Sequence, residues 1–154
     1  MSYDSREETL KHIRAVRTNL LEVELNLSMR GMEHDLSKLE DPEKSAFDAI
    51  GPDKPPYNTP EYEQMKELLG PALDHHYSVN DHHPEHHKNA AGVGVGVRAM
   101  SCMAILEMLA DWKAAAEREG KTLAESLDIN VKRFWISVDL EHVIKNTAGE
   151  LGWI

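Results

Sequence analysis

Apolar residues recur every three or four positions along most of the chain, which is the spacing of one face of an α-helix. In the first long segment these positions are Leu10, Ile13, Val16, Leu20, Val23 and Leu27. In the segment 101–120 they are Ile105, Leu109, Trp112 and Ala116. No segment alternates apolar and polar residues over more than a few positions, so strands are not expected. The pattern predicts an all-α fold, a compact single-domain helical bundle of about six or seven helices over residues 1–154.

Capping and turn residues indicate where these helices begin and end. The expected caps are Asp41, Thr59, Thr122 and Ser137. Glu125 stands three residues after Thr122, which is the spacing of a capping box. A short helical piece is expected at 32–40, and Gly70-Pro71 predicts a stop or a kink. The segments 51–60 and 90–100 are rich in turn residues and predict loops.

Composition and charge narrow the class of protein. The 154 residues are 41% hydrophobic and 29% charged, which is ordinary for one folded domain. A formal net charge of −10 disfavours binding to a nucleic acid backbone. Cys102 is the one cysteine, so an internal disulfide is excluded and a reducing compartment fits. The N-terminal segment has no apolar signal core and no run of about 18 apolar residues exists, so we expect a cytoplasmic protein without a membrane span. The oligomeric state stays open.

Residues 75–87, "HHYSVNDHHPEHH", hold six of the nine histidines. Such a stretch can bind metal, or it can be a polar loop that happens to be rich in histidine. Further nitrogen and oxygen ligands are available elsewhere in the chain: His12, the adjacent pair His34 and Asp35, and Asp111. Mixed ligands of this kind suit Mn, Fe, Co, Ni, Zn or Mg better than a thiolate site would.

The order His12, His34-Asp35, Asp111 on a helical chain resembles the HD-domain superfamily, which is named for its His-Asp pair and consists largely of metal-dependent phosphohydrolases. The strings "HDLSK", "HHxxxNDHHPEHH" and "EMLADW" are together similar to a small branch of it that is common in phages and bacteria. The resemblance covers roughly residues 8–150 and implies an HD-domain-like fold.

The resemblance also implies a set of metal ligands. A first ion would be held by His12, His34, Asp35 and Asp111. Branches with two ions add two histidines between the His-Asp pair and the last aspartate, and the candidates here are His76 with His82 or His83. In those branches the added histidines usually lie far apart, whereas here they fall within thirteen residues. One or two ions are therefore compatible with the sequence.

By the same resemblance, we expect a metal-dependent phosphohydrolase that acts on a nucleotide or another small phosphate ester. A divalent ion would activate water and neutralise charge on the phosphoryl oxygens. Asp35 would bridge two ions, and Lys38, one turn after His34, would contact a phosphoryl oxygen. Glu85 or an unligated histidine would transfer the proton of the leaving group.

Other interpretations of the same residues stay open. Some HD-type proteins hold a di-iron centre and activate O₂, so an oxygenase is the first alternative. The second is a non-catalytic binding module stabilised by metal, and the third is that the histidines bind no metal. Within the stretch, His75, His86 and His87 are expected not to be ligands, and Glu107 is expected either to orient a ligand or to face solvent.

Overall fold

The structure is a computed structural model, and it describes residues 3–51, 55–56, 59–89 and 92–154. The α-helices of these residues are α1 (Arg6–Glu33), α2 (Glu43–Ile50), α3 (Pro60–Val79), α4 (Cys102–Arg118), α5 (Leu123–Arg133) and α6 (Val138–Glu150). Three short 3₁₀ turns accompany them, Leu36–Leu39, Pro84–His86 and Gly96–Ala99. No strand forms within these ranges, apart from one isolated bridge between Lys88 and Gly94. The prediction of an all-α protein with about six or seven helices is confirmed.

The chain divides into two compact units, Met1–His34 and Asp35–Ile154. The first unit consists of α1, whose first turn carries Glu7 and Glu8 where the positive end of the helix dipole favours acidic residues. No residue of α1 is buried, so the burial expected for its apolar positions is not observed. A single domain over residues 1–154 stays a prediction, as does likeness to the HD domain.

The hydrophobic core of the second unit lies among α4, α5 and α6. Its buried members include Met108, Leu109, Trp112, Leu127 and Ile144. The ring of Trp112 stacks on Phe134, with 5.8 Å between the ring centroids. The spacing of the buried residues of α4 matches the apolar positions predicted for the segment 101–120, except that Ile105 is only partly buried.

Local capping follows the sequence at most helix starts. The hydroxyl oxygen of Thr122 accepts a hydrogen bond from the Glu125 amide, and the Glu125 carboxylate accepts one from the Thr122 amide, which completes the capping box. The hydroxyls of Thr59 and Ser137 cap α3 and α6 in the same way. Asp41 is the exception. The α2 helix begins at Glu43, so Asp41 lies one position before the cap and accepts a hydrogen bond from the Ser45 amide.

Two further boundaries differ from the prediction. Gly70-Pro71 neither stops nor interrupts α3, which is continuous from Pro60 to Val79. Leu69 and Ala72 are buried on either side of the proline, and this packing offsets the one backbone hydrogen bond that proline cannot make. The predicted helical piece at 32–40 is instead the end of α1, a turn and the 3₁₀ turn Leu36–Leu39.

The two predicted loops are described only in part. Residues 52–54 and 57–58 of the first loop, and residues 90–91 of the second, lie outside the described residues. The end of the second loop forms the 3₁₀ turn Gly96–Ala99. Among the helices that the structure describes, none has the length and apolar character required to cross a bilayer.

Candidate metal centre

Histidine and aspartate side chains from several elements of the second unit converge on one region. Asp35, His76 and His83 each offer one ligand atom, and these three atoms lie within 4.8 Å of one another. His82, His83 and Asp111 form a second such group. Because His83 belongs to both, the two groups adjoin. The structure therefore brings together five of the residues that the sequence proposed as metal ligands.

The position of His76 follows from the pattern of α3. Met65, Leu69, Ala72 and His76 are the buried residues of this helix, and their spacing of three or four positions places them on one face. His75 directly precedes His76 on the helix, and its side chain is 41% exposed. The helical geometry thus buries the His76 imidazole and leaves that of His75 partly exposed, although both rings contact Glu43.

Asp35 is held in a left-handed backbone conformation, with φ of 55°, directly before the 3₁₀ turn Leu36–Leu39. Aspartate is one of the few residues that tolerate this region. Its Oδ2 lies 2.5 Å from the Nζ of Lys38. Its Oδ1 lies 3.5 Å from Nε2 of His76 and 3.4 Å from Nε2 of His82. Lys38 thus holds one oxygen while the other faces the two imidazoles.

The two distances from Asp35 Oδ1 match those of atoms that share a metal ion, whereas Nε2 of His76 and Nε2 of His83 lie closer together, at 2.8 Å. Donors bound at about 2.0–2.1 Å in tetrahedral geometry lie roughly 3.3–3.4 Å apart. The two distances from Asp35 Oδ1 to the imidazole nitrogens, 3.5 and 3.4 Å, are close to this value. The donor set of nitrogen and carboxylate oxygen fits a borderline or hard divalent cation, and the residues present therefore fit such an ion.

Glu43 fixes the orientation of His76. The Glu43 side chain is 0% exposed, and its Oε2 lies 2.8 Å from Nδ1 of His76 and 3.0 Å from the donating hydroxyl of Ser37. Since a carboxylate only accepts, the proton of His76 lies on Nδ1 and the Nε2 lone pair points to the centre. The two amide hydrogens of Asn80 are used by Ser37 Oγ and the His76 carbonyl oxygen, each at 2.9 Å, so Asn80 does not compete for Nδ1.

A second carboxylate, that of Glu107, fixes the orientation of His82. Oε1 of Glu107 lies 3.1 Å from Nδ1 of His82, so the Nε2 of this ring also faces Asp35. Pairs of this kind are common around metal-binding histidines, where they set the tautomer and the ring orientation. Sequence analysis allowed an orienting role for Glu107 but missed Glu43. The only signal for Glu43 was its place in the first turn of α2, where acidic residues are common for other reasons.

Burial favours the neutral form of two of these imidazoles. Burial, together with the neighbouring His82 and His76, lowers the pKa of His83 to about 3. Burial, with the Lys38 charge next, also lowers the pKa of His76 below its usual value. Burial raises the pKa of Glu43, but hydrogen bonds from His75 and Ser37 outweigh it and leave the pKa lowered. Metal binding requires neutral imidazoles, so these groups are in the required state at neutral pH.

The remaining histidines of the stretch have other partners. Nδ1 of His75 lies 2.8 Å from Oε1 of Glu43. His86 donates from Nδ1 to the Tyr77 carbonyl oxygen at 2.9 Å, and His87 donates from Nε2 to the Asp81 carbonyl oxygen at 2.8 Å. The stretch therefore contains three candidate ligands and three histidines that hydrogen-bond to the Glu43 carboxylate or to backbone carbonyl oxygens.

The other residues proposed from the sequence lie as follows. His12 is on an exposed face of α1 in the first unit, and His34 is the half-buried residue that directly precedes Asp35. Both stay predictions as ligands. Lys38 pairs with Asp35, as described above. Glu85 lies in the 3₁₀ turn Pro84–His86, where its Oε1 accepts a hydrogen bond from Arg133 at 3.0 Å.

Comparisons with known proteins identify the family. Neither the comparison with curated proteins nor that with solved structures found a match. A family model described as "Family of unknown function (DUF5662)" matches residues 1–150, which is nearly the whole chain. The chain therefore belongs to the DUF5662 family, a family of unknown function.

Proposed function

We propose that this protein is a metal-dependent hydrolase of small phosphate esters. Its centre consists of Asp35, His76, His82, His83 and Asp111. The observation that carries the proposal is the convergence of their ligand atoms in two adjoining groups, each within 4.8 Å. Residues of these types that are distant in sequence seldom meet at a partly buried position without a chemical role, because two aspartates and three imidazoles are costly to remove from water together.

The ligand types support a divalent cation of the group Mn, Fe, Co, Ni, Zn or Mg. Cys102 is exposed and forms no part of either ligand group. Asp35 is the best candidate for a ligand shared by two ions, because its Oδ1 lies at nearly equal distances from His76 and His82. The proposal accommodates one or two ions, and His12 and His34 remain candidates for completing the set.

A divalent ion at this centre supplies a Lewis acid and lowers the pKa of the water that it binds. The protein's own residues prepare the site for this chemistry. Glu43 and Glu107 direct the imidazoles of His76 and His82. Lys38 holds Asp35 with one of its three ammonium hydrogens, and its side chain is 40% exposed. We propose that a second ammonium hydrogen of Lys38 donates to a phosphoryl oxygen of the substrate.

The test begins with untagged protein, because a polyhistidine tag would capture the same metals. Bound metal is measured by elemental analysis, and phosphate release is then screened over phosphate esters with each divalent ion in turn. We expect Asp35→Asn and Asp111→Asn to lose bound metal and phosphate release together. The matched control is His142→Ala, which removes an exposed imidazole on α6.

Three results would overturn the proposal. The protein could take up no divalent ion under any condition, or both aspartate variants could bind metal as tightly as the parent. The third is O₂-dependent turnover by an iron-loaded sample that releases no phosphate, which would favour the oxygenase. Circular dichroism on each variant verifies that loss of metal does not follow from loss of the fold.

A further inference from the structure

The helix α1 carries a narrow apolar stripe along one side. From Ile13 to Leu27 the apolar residues are separated alternately by three and four positions, which is the heptad spacing of coiled coils. We call these residues the seam, and its members are Ile13, Val16, Leu20, Val23 and Leu27. The first four are between 36% and 62% exposed. At 1.5 Å per residue, the seam extends over about 21 Å of the helix.

The residues that flank the seam over this length are polar. They are Arg17, Asn19, Glu24 and Asn26. A helix that packs against the core of a globular protein usually has a wider apolar stripe, which includes one of the flanking positions. A narrow seam between polar flanks is instead the pattern by which one helix pairs with another. The seam therefore favours a helix as its partner.

A second side of α1 is apolar as well. Its residues recur every three or four positions and are each at least 50% exposed: Leu21, Leu25, Met29 and Met32. At 100° per residue, Leu25 lies about 140° around the helix from Leu20. A helix with two apolar sides needs a partner on each, because a single folded body covers one side. The partner of the seam is therefore distinct from whatever covers the second side.

Arg17 and Glu24 indicate what that partner is. They lie one heptad apart on the same flank of the seam, and both are exposed. Within α1, no acidic residue stands three or four positions from Arg17, and no basic residue stands three or four positions from Glu24. When a second copy of α1 lies antiparallel along the seam, Arg17 of each copy faces Glu24 of the other. This arrangement forms two symmetric ion pairs.

A parallel pair of helices offers no such match. In a parallel pair, each flank of one helix faces the opposite flank of the other. Arg17 would then face His12 of the second copy, and Glu24 would face Asn19. Neither contact joins opposite formal charges when histidine is neutral, so the charges of this flank select the antiparallel orientation.

We propose that α1 is a dimerisation surface, at which two copies of this chain pair antiparallel through the seam. Leu20 of each copy packs beside Val23 of the other, and Val16 packs beside Leu27. The two-fold axis then crosses the seam between Leu20 and Val23. A two-fold interface requires a surface that is complementary to itself, and the seam with its charged flank meets this requirement.

Sedimentation equilibrium of the untagged, metal-free chain measures the association directly. We expect the dimer to be the main species at about 100 μM protein. Leu20→Glu places a charge at the centre of the seam and should leave only monomer at that concentration. Leu68→Glu is the matched control, because Leu68 is 83% exposed on α3, and it should dimerise as the parent does. Circular dichroism verifies that each variant keeps its helices.

Charge variants test the orientation while every apolar side chain stays in place. Arg17→Glu and Glu24→Arg should each weaken the dimer roughly tenfold, because each turns both ion pairs into contacts between like charges. An equimolar mixture of the two variants should associate within about threefold of the affinity of the parent. In the mixed dimer every pair across this flank again joins opposite charges.

Three results would overturn the inference: a parent that is monomeric at about 100 μM, a Leu20→Glu variant that dimerises like the parent, or a mixture that associates no better than each charge variant alone. A monomeric parent that is destabilised by Leu20→Glu would show that the seam packs within its own chain. None of these measurements uses bound metal or phosphate release. The inference therefore stands or fails separately from the proposed function.

Discussion

The substitution Glu43→Gln changes one oxygen to an amide nitrogen at the point where two histidines meet a buried carboxylate. Oε1 and Oε2 of Glu43 each lie 2.8 Å from an imidazole Nδ1, of His75 and His76 respectively. Glutamine has one acceptor and one donor group, so it cannot accept from both rings. Whichever ring faces the amide nitrogen must move its proton to Nε2 or lose its hydrogen bond.

The size of the effect follows from which bonds change. A hydrogen bond to a charged group contributes about 1.5–3 kcal/mol, and part of this loss is recovered because a neutral amide is easier to bury. We therefore expect the free energy of unfolding of metal-free protein to fall by about 1–3 kcal/mol. Loss of an orienting partner typically weakens metal binding 10–100-fold, which corresponds to about 1.4–2.8 kcal/mol.

The assay compares Zn²⁺ and Co²⁺ dissociation constants, measured by competition with a chelator, for the parent and for Glu43→Gln. The Co²⁺ absorption spectrum provides a second readout, since it reports ligand geometry directly. Glu63→Gln is the matched control, because Glu63 is also in the first turn of a helix but is exposed and pairs with Lys66. It should leave both dissociation constants unchanged.

Two results would refute this reasoning. If Glu43→Gln lowers stability but binds both metals as tightly as the parent, the carboxylate only stabilises the fold and does not orient a ligand. If neither stability nor metal affinity changes, the buried hydrogen bonds themselves contribute nothing measurable.

The pKa of His83 is lowered to about 3, so as the pH falls below about 6.5 the His83 imidazole gains a proton in the unfolded chain but not in the folded one. Urea titrations of metal-free protein should therefore show a free energy of unfolding about 2 kcal/mol lower at pH 5 than at pH 7. Equal free energies of unfolding at the two pH values would contradict this prediction. Metal at a hundred times its dissociation constant should raise the free energy of unfolding by about 2.7 kcal/mol, and a chelator should reverse the gain. Lys38→Met should weaken metal binding, because Asp35 loses the ammonium group that holds its Oδ2. Calorimetric titration of metal into this variant, and into His87→Gln as the control, measures the change in affinity. Leu127→Ala, at a fully buried position, should cost about 2–5 kcal/mol in urea denaturation without a change in metal affinity.

Sequence reasoning succeeded where the structure depends on neighbours along the chain. The apolar positions of α4 and the capping box at Thr122 are fixed within one or two helical turns, so both could be predicted. It failed at Asp41, and the stop that it allowed for at Pro71 does not occur. There the outcome depends on packing that the local sequence does not contain, since α3 continues through its proline with buried residues on both sides.

In the candidate metal centre, too, some features could be predicted from the sequence and others depend on packing. The resemblance selected Asp35, Asp111 and, within the histidine stretch, His76 with His82 or His83, but it left open which histidines of the stretch are ligands. That depends on the position at which α3 ends and on the partners that each ring finds. His86 and His87 find backbone carbonyl oxygens, which any nearby chain segment can supply.

His76 and His82 are buried, and each pairs with a carboxylate from another helix, whereas His75 also pairs with Glu43 but is 41% exposed. Glu43 comes from α2 and Glu107 from α4, and the two carboxylates hold their rings so that both Nε2 atoms face Asp35. A carboxylate that pairs with the distal nitrogen of an imidazole sets its tautomer and orientation, and such pairs are common around metal-binding histidines. The placement of Glu43, which no local signal required, is therefore more informative about metal binding than the number of histidines in the stretch.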